Sequence, residues 1–403
     1  MKPTLFGYGL TTKAIAKKLG GGCTFFDDNV KETYTDDEGN TIKPSRLFDP
    51  NESQLEVTTP SLKPNHPLIK SAKNLLSEYD YFLGNEKMPF TIWISGTNGK
   101  TTTTQMLTHI LEKRGALSGG NIGTPLADLD TNAPIWVLES SSFALHHTHT
   151  ASPDIYLLLP ITPDHLDWHE TAEQYEADKL RPLLTMKEGE LALVPKGLNL
   201  PKTNAYVVEY DSNTFIAEYF KLDSSKLRFK AAFLQDALLA LAVSKVLFDE
   251  ADYALMNTFT LDAHRQEELC DAQGRLWVND SKATNLDATI QAVKGYADRH
   301  IHLILGGDDK GVDLTPLFED MKSLNLTLYT IGENNQKLLA LAKIYDIKTT
   351  ESQTIEQAVK EIDAVHSKQS VALLSPAAAS FDQFNSYKHR GETFMQLVKN
   401  LKN

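Results

Sequence analysis

The stretch Thr91-Ile92-Trp93-Ile94-Ser95-Gly96-Thr97-Asn98-Gly99-Lys100-Thr101-Thr102 decides the fold, because an apolar strand leads into a glycine-rich turn and a predicted helix over residues 103–113. Glycines let consecutive backbone N–H groups face one concavity, and the helix N-terminus adds partial positive charge. Lys100 can then reach the β and γ phosphates of a nucleotide, and Thr101 can hold Mg²⁺. The strict phosphate-loop pattern has glycine where Ile94 stands, so a generic glycine-rich turn remains the alternative. We predict nucleoside triphosphate binding by Gly96, Thr97, Asn98, Gly99, Lys100, Thr101 and Thr102.

Strands and helices alternate after this stretch. Apolar strands are predicted over residues 135–138 and 155–159, a helix over residues 173–184, and an apolar helix over residues 233–247. Such alternation predicts a mostly parallel sheet with helices on both faces. We assign residues 89–262 to a central nucleotide-binding domain with this α/β architecture.

The N-terminal segment has the order of a dinucleotide-type βαβ unit. A strand over residues 4–6 precedes a glycine turn, a helix over residues 14–19, and a strand over residues 23–26 that ends in Asp27-Asp28. Thr12 stands in place of the third glycine, so the pattern is weak evidence for a nicotinamide dinucleotide. The polar stretch 85–89 reads as a linker, which makes residues 1–88 a Rossmann-like domain.

The C-terminal segment repeats the alternation. Strands are predicted over residues 276–278, 302–305, 326–329 and 371–374, with helices between them. Residues 263–403 are therefore predicted to form another Rossmann-like domain, and the whole chain a three-domain α/β protein.

Composition narrows the classes of function. The 403 residues carry a net charge of −13, which disfavours nucleic acid or an anionic membrane as the main partner. Any anionic ligand must then be held by local basic groups and backbone N–H donors. Two cysteines suit a reducing compartment, and the glycine-broken N-terminus does not resemble a secretory signal. We expect a cytoplasmic protein without a membrane-inserted segment.

Several short motifs follow the glycine-rich turn in a fixed order. The blocks are Gly96-Thr97-Asn98-Gly99-Lys100-Thr101-Thr102, Asn121-Ile122-Gly123, Glu139-Ser140-Ser141-Ser142-Phe143, Asp164-His165-Leu166-Asp167, Lys179, His264-Arg265, Asp280-Ser281-Lys282-Ala283-Thr284-Asn285, Gly306-Gly307-Asp308-Asp309-Lys310, and Ser375-Pro376-Ala377-Ala378-Ala379-Ser380-Phe381-Asp382-Gln383-Phe384. Together they resemble the Mur ligase family, the ATP-dependent amide ligases that build the peptide stem of bacterial peptidoglycan, and the last three blocks most resemble its D-glutamate-adding members.

The resemblance implies a magnesium centre of two ions, with Thr101, Glu139, His165 and Lys179 as ligands. A bare ammonium beside Mg²⁺ would add repulsion, and the resemblance implies that Lys179 is carbamylated to an anion. Three alternatives remain: Glu139 as a helix-terminal carboxylate, His165 as a packed core histidine, and Lys179 as an ordinary surface or phosphate-contacting lysine. The nearby cluster His146-His147-Thr148-His149 lacks a spaced carboxylate or cysteine partner and is not expected to bind metal.

The resemblance also implies ATP contacts beyond the glycine-rich turn. Arg265 would contact the phosphates and Asp280 the ribose, with Lys282 facing the reacting groups; the alternative for Asp280 is a helix N-cap. The sequence departs from the family twice. Pro160 replaces an expected Asn, and Asp236 stands where an Asn approaches ATP.

The substrates implied by the resemblance are UDP-N-acetylmuramoyl-L-alanine, D-glutamate and ATP, handled by a monomer in cell-wall synthesis, cell shape and division. Catalytic roles fall to Lys100, Lys179, His165 and Lys282. The alternatives are another Mur-type or folylpolyglutamate synthase-like ligase, and a non-catalytic, nucleotide-gated UDP-sugar sensor. The residues expected to contact the UDP substrate are Leu10, Thr11, Asp27, Asn121 and Ser141, and those expected to contact D-glutamate are Lys282, Thr284, Lys310, Ser380, Phe381 and Tyr387.

Overall fold

The computed structural model describes residues 2–84, 88–121 and 123–401. Residues 85–87 of the predicted linker and Ile122 of the second motif lie outside the described residues. The described chain forms three six-stranded sheets.

The first sheet has the strand order β3-β4-β2-β1-β5-β6, and its pairs are parallel except for β3 against β4. Thr12 closes the first turn, because its Oγ1 donates to the Gly7 carbonyl oxygen at 2.6 Å. A hydroxyl therefore stands where the dinucleotide pattern has its third glycine. The elements are β1 (Thr4–Phe6), α1 (Leu10–Lys18), β2 (Thr24–Asp27), β3 (Tyr34–Thr35), β4 (Thr41–Pro44), β5 (Glu56–Thr58), α2 (Pro67–Ser71), β6 (Leu75–Leu76) and α3 (Glu78–Leu83).

The second sheet is parallel throughout, in the order β12-β11-β10-β7-β9-β8. The sequences of its central strands are continuous apolar runs, because helices cover both faces of the sheet. Trp93, Trp136 and Tyr156 are completely buried. The elements are β7 (Phe90–Ser95), α4 (Lys100–Leu111), β8 (Ala116–Gly120), β9 (Ile135–Glu139), α5 (Ser142–His146), β10 (Ile155–Leu158), α6 (Leu166–His169), α7 (Ala172–Leu180), α8 (Pro182–Thr185), β11 (Leu191–Pro195), β12 (Tyr206–Tyr210), α9 (Asn213–Tyr219), α10 (Ala231–Phe248) and α11 (Tyr253–Met256).

The prediction of a single helix over residues 173–184 is wrong. It is divided into α7 and α8, and Pro182 begins α8. Proline lacks a backbone N–H and cannot continue the hydrogen-bond ladder of α7, whereas it is well tolerated in the first turn of a new helix.

The third sheet has the order β13-β14-β18-β15-β16-β17, with only β13 antiparallel to its neighbour. The elements are β13 (Glu267–Cys270), β14 (Leu276–Asn279), α12 (Leu286–Gly295), β15 (His300–Gly306), α13 (Thr315–Met321), β16 (Leu326–Ile331), α14 (Asn335–Ile344), β17 (Thr349–Gln353), α15 (Ile355–Asp363), β18 (Ser370–Leu374) and α16 (Tyr387–Lys399). Short 3-10 helices cover Ser45–Leu47, Glu112–Arg114, Leu126–Asp128 and Ser224–Lys226.

The chain divides into two compact units. The first unit comprises Met1–Arg228 and Leu234–Thr258 and contains the first two sheets; the second comprises Phe229–Phe233 and Phe259–Asn403 and contains the third. The predicted α/β class with three mostly parallel sheets is confirmed, while the domain boundaries at residues 88 and 262 stay predictions.

Within the described residues, α10 is the one helix long and apolar enough to cross a membrane. Gln235, Asp236 and Lys245 interrupt its apolar character, and half of its length is buried in the protein. The core helix of a soluble protein meets the same criteria, so this helix is weak support for a membrane segment.

Candidate active site

The glycine-rich turn lies at the carboxyl end of β7, between the ends of β9 and β10. Gly99 caps α4 in the left-handed conformation, with φ of 82°, and Lys100 is the first residue of the helix. Lys100 Nζ donates to the carbonyl oxygens of Gly96 and Thr97 at 3.0 and 2.8 Å. The turn therefore brings an ammonium group and a helix N-terminus to one point, as the sequence predicts.

Asp236 approaches this turn from α10. A Cβ at Gly99 would lie 2.8 Å from Asp236 Oδ1, so a side chain at position 99 would collide with the carboxylate as well as require a strained backbone. The buried Asp236 therefore lies beside the phosphate loop. This position supports the idea that it takes the place of the Asn expected there.

Glu139 ends β9 and is buried. Its Oε1 accepts a hydrogen bond from Asn121 Nδ2 at 2.7 Å, whereas no described residue donates to Oε2. The following helix, α5, is capped by Ser141, whose Oγ accepts from the Ala144 N–H at 3.1 Å. Glu139 is thus not the helix cap, and its second oxygen is suited to a cation.

Lys179 is buried within α7, so the alternative of a surface lysine is wrong, while that of a phosphate-contacting lysine stays open. Its Nζ donates to the Gly96 carbonyl oxygen at 2.8 Å, the same oxygen that accepts from Lys100. Burial, followed by the charge of Lys100, lowers the pKa of Lys179 well below its usual value. The fold therefore favours a neutral amine at this position.

His165 precedes α6 in the left-handed conformation, with φ of 52°. Half of its side chain is exposed, so the alternative of a packed core histidine is wrong. Its ring lies edge-on to Phe143 with centroids 4.9 Å apart, and burial lowers the pKa of His165. A neutral imidazole with solvent access remains compatible with the predicted ligand role.

Pro160, which departs from the family pattern, contacts the phosphate loop through its backbone: its carbonyl oxygen accepts from the Thr97 N–H at 3.1 Å.

The histidine cluster after β9 has a carboxylate partner that sequence spacing did not reveal. Asp178 Oδ2 lies 2.8 Å from the Nδ1 atoms of both His146 and His169, and these atoms group as metal ligands would. His169 Nε2 lies 2.9 Å from Ser142 Oγ, and Arg181 donates to Asp178 Oδ1 at 2.9 Å. The grouped atoms already take part in hydrogen bonds. We interpret the arrangement as a hydrogen-bonded network, which we call the Asp178 network.

Of the residues predicted to contact the UDP substrate, Asp27 lines a cavity of about 290 Å³, together with Gly7 and Tyr8 among others. The carboxylate of Asp27 accepts from the Tyr8 and Asn29 N–H groups, both at 2.8 Å. Leu10 is 64% exposed and begins α1, followed by the half-buried Thr11. The other two predicted contacts have structural partners: Asn121 holds Glu139 and Ser141 caps α5.

In the second unit, Asp280 follows β14 and is buried. Its carboxylate accepts from Ser375 Oγ at 2.9 Å and from the Gln266 N–H at 3.2 Å. Burial raises the pKa of Asp280 to about 7. The N-cap of α12 is Asn285, so the alternative that Asp280 caps the helix is wrong. Arg265, one residue before Gln266, lies with its Nε 3.9 Å from Asp262 Oδ2.

The loops predicted to bind D-glutamate are tied together at the carboxyl ends of their strands. The Ala377 N–H donates to the Ala283 carbonyl at 3.0 Å, and Asp308 and Ala379 form an isolated antiparallel bridge. Lys282 Nζ donates to Tyr387 Oη at 3.3 Å. The structure thus joins the loops that carry the predicted residues: Lys282, exposed Thr284, exposed Lys310 with φ of 51°, buried Ser380, Phe381 at 73% exposure, and Tyr387.

Some residues at these sites were not predicted. Arg390 of α16 is buried and donates to Ser281, Ala378 and Ala379, and Asp178 with His169 forms the network described above. Their partners are far away in sequence or are backbone atoms. A charged residue among the apolar positions of α16 was the only local signal for Arg390.

Comparison with known proteins settles the family. The Mur ligase middle domain matches residues 94–235, and the Mur ligase, glutamate ligase domain matches residues 264–378. A UDP-N-acetylmuramoylalanine--D-glutamate ligase of Campylobacter jejuni is 49% identical to this chain, with all of both chains covered. The chain belongs to the Mur ligase family. A ligase of the same name from Helicobacter pylori is 46% identical, with 99% of each chain covered.

Solved structures agree with this Mur ligase in fold. The MurF ligase of Thermotoga maritima, solved in complex with ADP, has a TM-score of 0.57 at 16% identity and covers 86% of this chain and 88% of its own. The folylpolyglutamate synthase of Mycobacterium tuberculosis has a TM-score of 0.51 at 12% identity, with coverage of 81% and 95%. At such identities the likeness concerns the fold alone.

Proposed function

We propose that this Mur ligase joins D-glutamate to the carboxylate of UDP-N-acetylmuramoyl-L-alanine, with conversion of ATP to ADP and phosphate. The observation that carries the proposal is the full-length similarity, at 46 to 49% identity, to ligases that bear this name. The phosphate loop and the joined loops of the second unit supply the groups that such a reaction needs.

In the first step, the alanine carboxylate attacks the γ-phosphorus, the bond to the leaving ADP oxygen breaks, and an acyl phosphate forms. Backbone N–H groups of the turn from Gly96 to Thr102, other than that of Thr97, are assigned to the phosphates, and the Lys100 ammonium offsets charge on the transferring group. Arg265 is assigned to the phosphates and Asp280 to the ribose. Catalysis here is mainly positioning and charge stabilisation.

Mg²⁺ is the cation expected at the end of β9. The buried Glu139 Oε2, without a hydrogen-bond donor among the described residues, fits a hard cation that takes oxygen ligands. We assign Thr101, Glu139, His165 and carbamylated Lys179 to hold two Mg²⁺ ions. When bound, Mg²⁺ supplies neutralisation of phosphate charge. The lowered pKa of Lys179 supports carbamylation, because only a neutral amine attacks CO₂ to form the N–C bond and release a proton.

In the second step, the D-glutamate amine attacks the acyl carbon, a tetrahedral intermediate forms, and the carbon–oxygen bond to phosphate breaks as the amine loses its proton. Lys282 faces the reacting groups, and Tyr387 Oη holds its ammonium at 3.3 Å. Two substrate carboxylates need local cations and donors in an acidic protein. Thr284, Lys310, Ser380 and the backbone after Phe381 are assigned to them.

The UDP moiety is assigned to the cavity beside β1. Leu10 and Thr11 at the start of α1 offer backbone N–H groups to the diphosphate, and Asp27 faces the same cavity. Asn121 and Ser141 are assigned to the sugar-bearing part of the substrate. A cytoplasmic location, a monomeric state and a role in cell shape and division remain predictions.

A phosphate-release assay tests the proposal. The chain is given ATP, Mg²⁺, UDP-N-acetylmuramoyl-L-alanine and one amino acid at a time. The amino acids are D-glutamate, L-glutamate, glycine, L-lysine and diaminopimelate. We expect phosphate release and a new amide product with D-glutamate only. A preference for a diamino acid would instead indicate another Mur-type ligase. Product formed when a folate replaces UDP-N-acetylmuramoyl-L-alanine would indicate a folylpolyglutamate synthase. Nucleotide binding without any product would indicate a sensor.

A further inference from the structure

Arg390 is a buried cation that touches two functional loops. Only 1% of its surface is exposed. Nε and Nη2 donate to Ser281 Oγ and to the Ser281 carbonyl at 3.0 and 2.9 Å, while Nη2 and Nη1 donate to the Ala378 and Ala379 carbonyls at 3.1 and 3.3 Å. One guanidinium therefore joins the loop after β14 to the loop after β18.

The charge of this side chain is held by neutral groups. All four acceptors are hydroxyl or carbonyl oxygens, and burial lowers the pKa of Arg390 to about 10, with Asp382 acting in the opposite direction. A guanidinium at this pKa is still charged at neutral pH. Burying a cation without a bonded carboxylate is costly, and an apolar side chain would pack at lower cost. Its fork of donors, however, can bridge two backbone segments at once.

The atoms that Arg390 holds adjoin two residues assigned to D-glutamate. Lys282 follows Ser281 directly, and Ser380 follows Ala379 directly. Tyr387, three residues before Arg390 on α16, accepts from Lys282 through its hydroxyl and from Ser281 Oγ through its carbonyl oxygen at 2.8 Å. A single turn of α16 thus contacts both loops.

The next residue of the helix fixes how closely α16 approaches. A Cβ at Gly391 would lie 2.3 Å from His264 Nδ1 and 3.0 Å from Asn279 Oδ1. The His264 carbonyl in turn accepts from the Lys282 N–H at 3.1 Å. The absence of a side chain at position 391 therefore lets the helix place Arg390 against the loops.

We propose that Arg390 is a positioning residue for amino-acid addition: it sets the loops of Lys282 and Ser380 relative to each other so that both meet one D-glutamate. The inference rests on the proposed function. It deepens that function by naming the element on which the geometry of the amino-acid site depends.

The test compares Arg390→Lys with Arg275→Lys in the full chain. Arg275 is also buried in the second unit, where it pairs with Asp271 and Asp363 away from the loops, and so serves as the matched control. Lysine keeps the charge but lacks the fork, so Arg390→Lys should raise the KM for D-glutamate about tenfold or more and leave the KM for ATP within about twofold. Arg275→Lys should lower the melting temperature without this split.

Two results would overturn the inference. In the first, Arg390→Lys changes the KM values for ATP, D-glutamate and the UDP substrate equally. In the second, Arg390→Lys and Arg275→Lys lower the melting temperature by the same amount and have the same KM values. Should Arg390→Lys fail to fold, Ser281→Ala removes one of the four bonds; an unchanged KM for D-glutamate in that variant would also overturn it. If the parent chain prefers another amino acid, the proposed function fails, and the same KM comparison with that amino acid still decides the role of Arg390.

Discussion

The two units hold their functional loops by different means. In the first unit, the Asp178 network joins the segments that carry Glu139, His165 and Lys179 through titratable side chains, and Arg181 pairs the buried acid. In the second unit, backbone hydrogen bonds and one buried guanidinium join the loops. The charge of Asp178 is paired with that of Arg181 through a direct hydrogen bond, whereas the groups that accept hydrogen bonds from Arg390 are all neutral.

This difference suggests a division of labour. The first unit presents the Lys100 ammonium group and a Glu139 oxygen to which no described residue donates, and these groups suit phosphate and metal ions. The second presents hydroxyls, backbone groups and lysines, which suit a small dicarboxylate. Substitutions in the first unit should therefore change the rate with every amino acid, and those in the second unit should change the affinity for D-glutamate.

Replacing Lys100 should have the largest effect. Lys100→Ala removes a charged contact to the transferring phosphoryl group and should lower kcat by about 100-fold or more, while binding of the UDP substrate, measured by calorimetry, stays nearly unchanged. Lys113→Ala, at an exposed lysine of the same unit, is the control. Turnover within about tenfold of the parent would contradict the phosphate-loop assignment.

Lys179→Ala should also inactivate the enzyme, but reversibly. Small carboxylic acids added in trans should restore part of the rate by occupying the anion position of the carbamate, and the exposed Lys187→Ala should need no rescue. Mass analysis under CO₂ measures the modification directly. An active parent with an unmodified amine at Lys179 would refute carbamylation.

Lys310→Ala should produce a smaller and selective change. Lost pairing with a substrate carboxylate should raise the KM for D-glutamate about tenfold, with the KM for ATP and for the UDP substrate little changed. Lys322→Ala, an exposed lysine of the same unit, should change none of these constants. Equal changes for all three substrates would show that Lys310 is not a D-glutamate contact.

The smallest effect concerns stability at acidic pH. Burial lowers the pKa of His302 to about 3, with the neighbouring charge of His300 acting in the same direction, and burial lowers that of His366 to about 4. The unfolded chain takes up protons on these rings below its ordinary pKa of about 6.5, whereas the folded chain does not until much lower pH. The contribution of these two histidines to stability should therefore fall as pH decreases from about 6.5 towards about 4, by on the order of 1 kcal/mol per histidine at pH 5 after allowance for solvent screening.

Urea unfolding across this pH window measures the effect. His302→Phe removes one of these two rings, so the difference in unfolding free energy between the parent and the variant should decrease as pH falls through this window. His389→Phe, at an exposed histidine, is the control for the substitution itself. An identical slope in His302→Phe and the parent would show that His302 does not contribute.

The sequence predicted elements with strong local signals. The phosphate loop and the apolar strands 135–138 and 371–374 were recognisable because glycines and continuous apolar runs specify them locally. The division between α7 and α8 had its signal in Pro182, which the helical periodicity outweighed in our prediction. The antiparallel edge strand β13 alternates half-buried with exposed residues and has no apolar run to mark it.

The missing parts of the site depend on distant partners. His146 and Asp178 are 32 residues apart, so nothing in the local spacing links the histidine cluster to its acid. Arg390 bonds to backbone atoms, and any residue type offers a carbonyl oxygen. Side-chain motifs can be read from a sequence, whereas a bond from one side chain to a remote main chain cannot.

The position of β7 between β9 and β10 has a consequence for how the chain folds. Both neighbours follow β7 in the sequence, so during translation the phosphate loop leaves the ribosome before the flanking strands β9 and β10 have been synthesised. Parallel pairing of this kind relies on non-local contacts, which form slowly because the intervening chain must first be closed into loops. Nucleotide binding should thus be acquired late in the assembly of this sheet, and its onset during synthesis would report when β10 has joined.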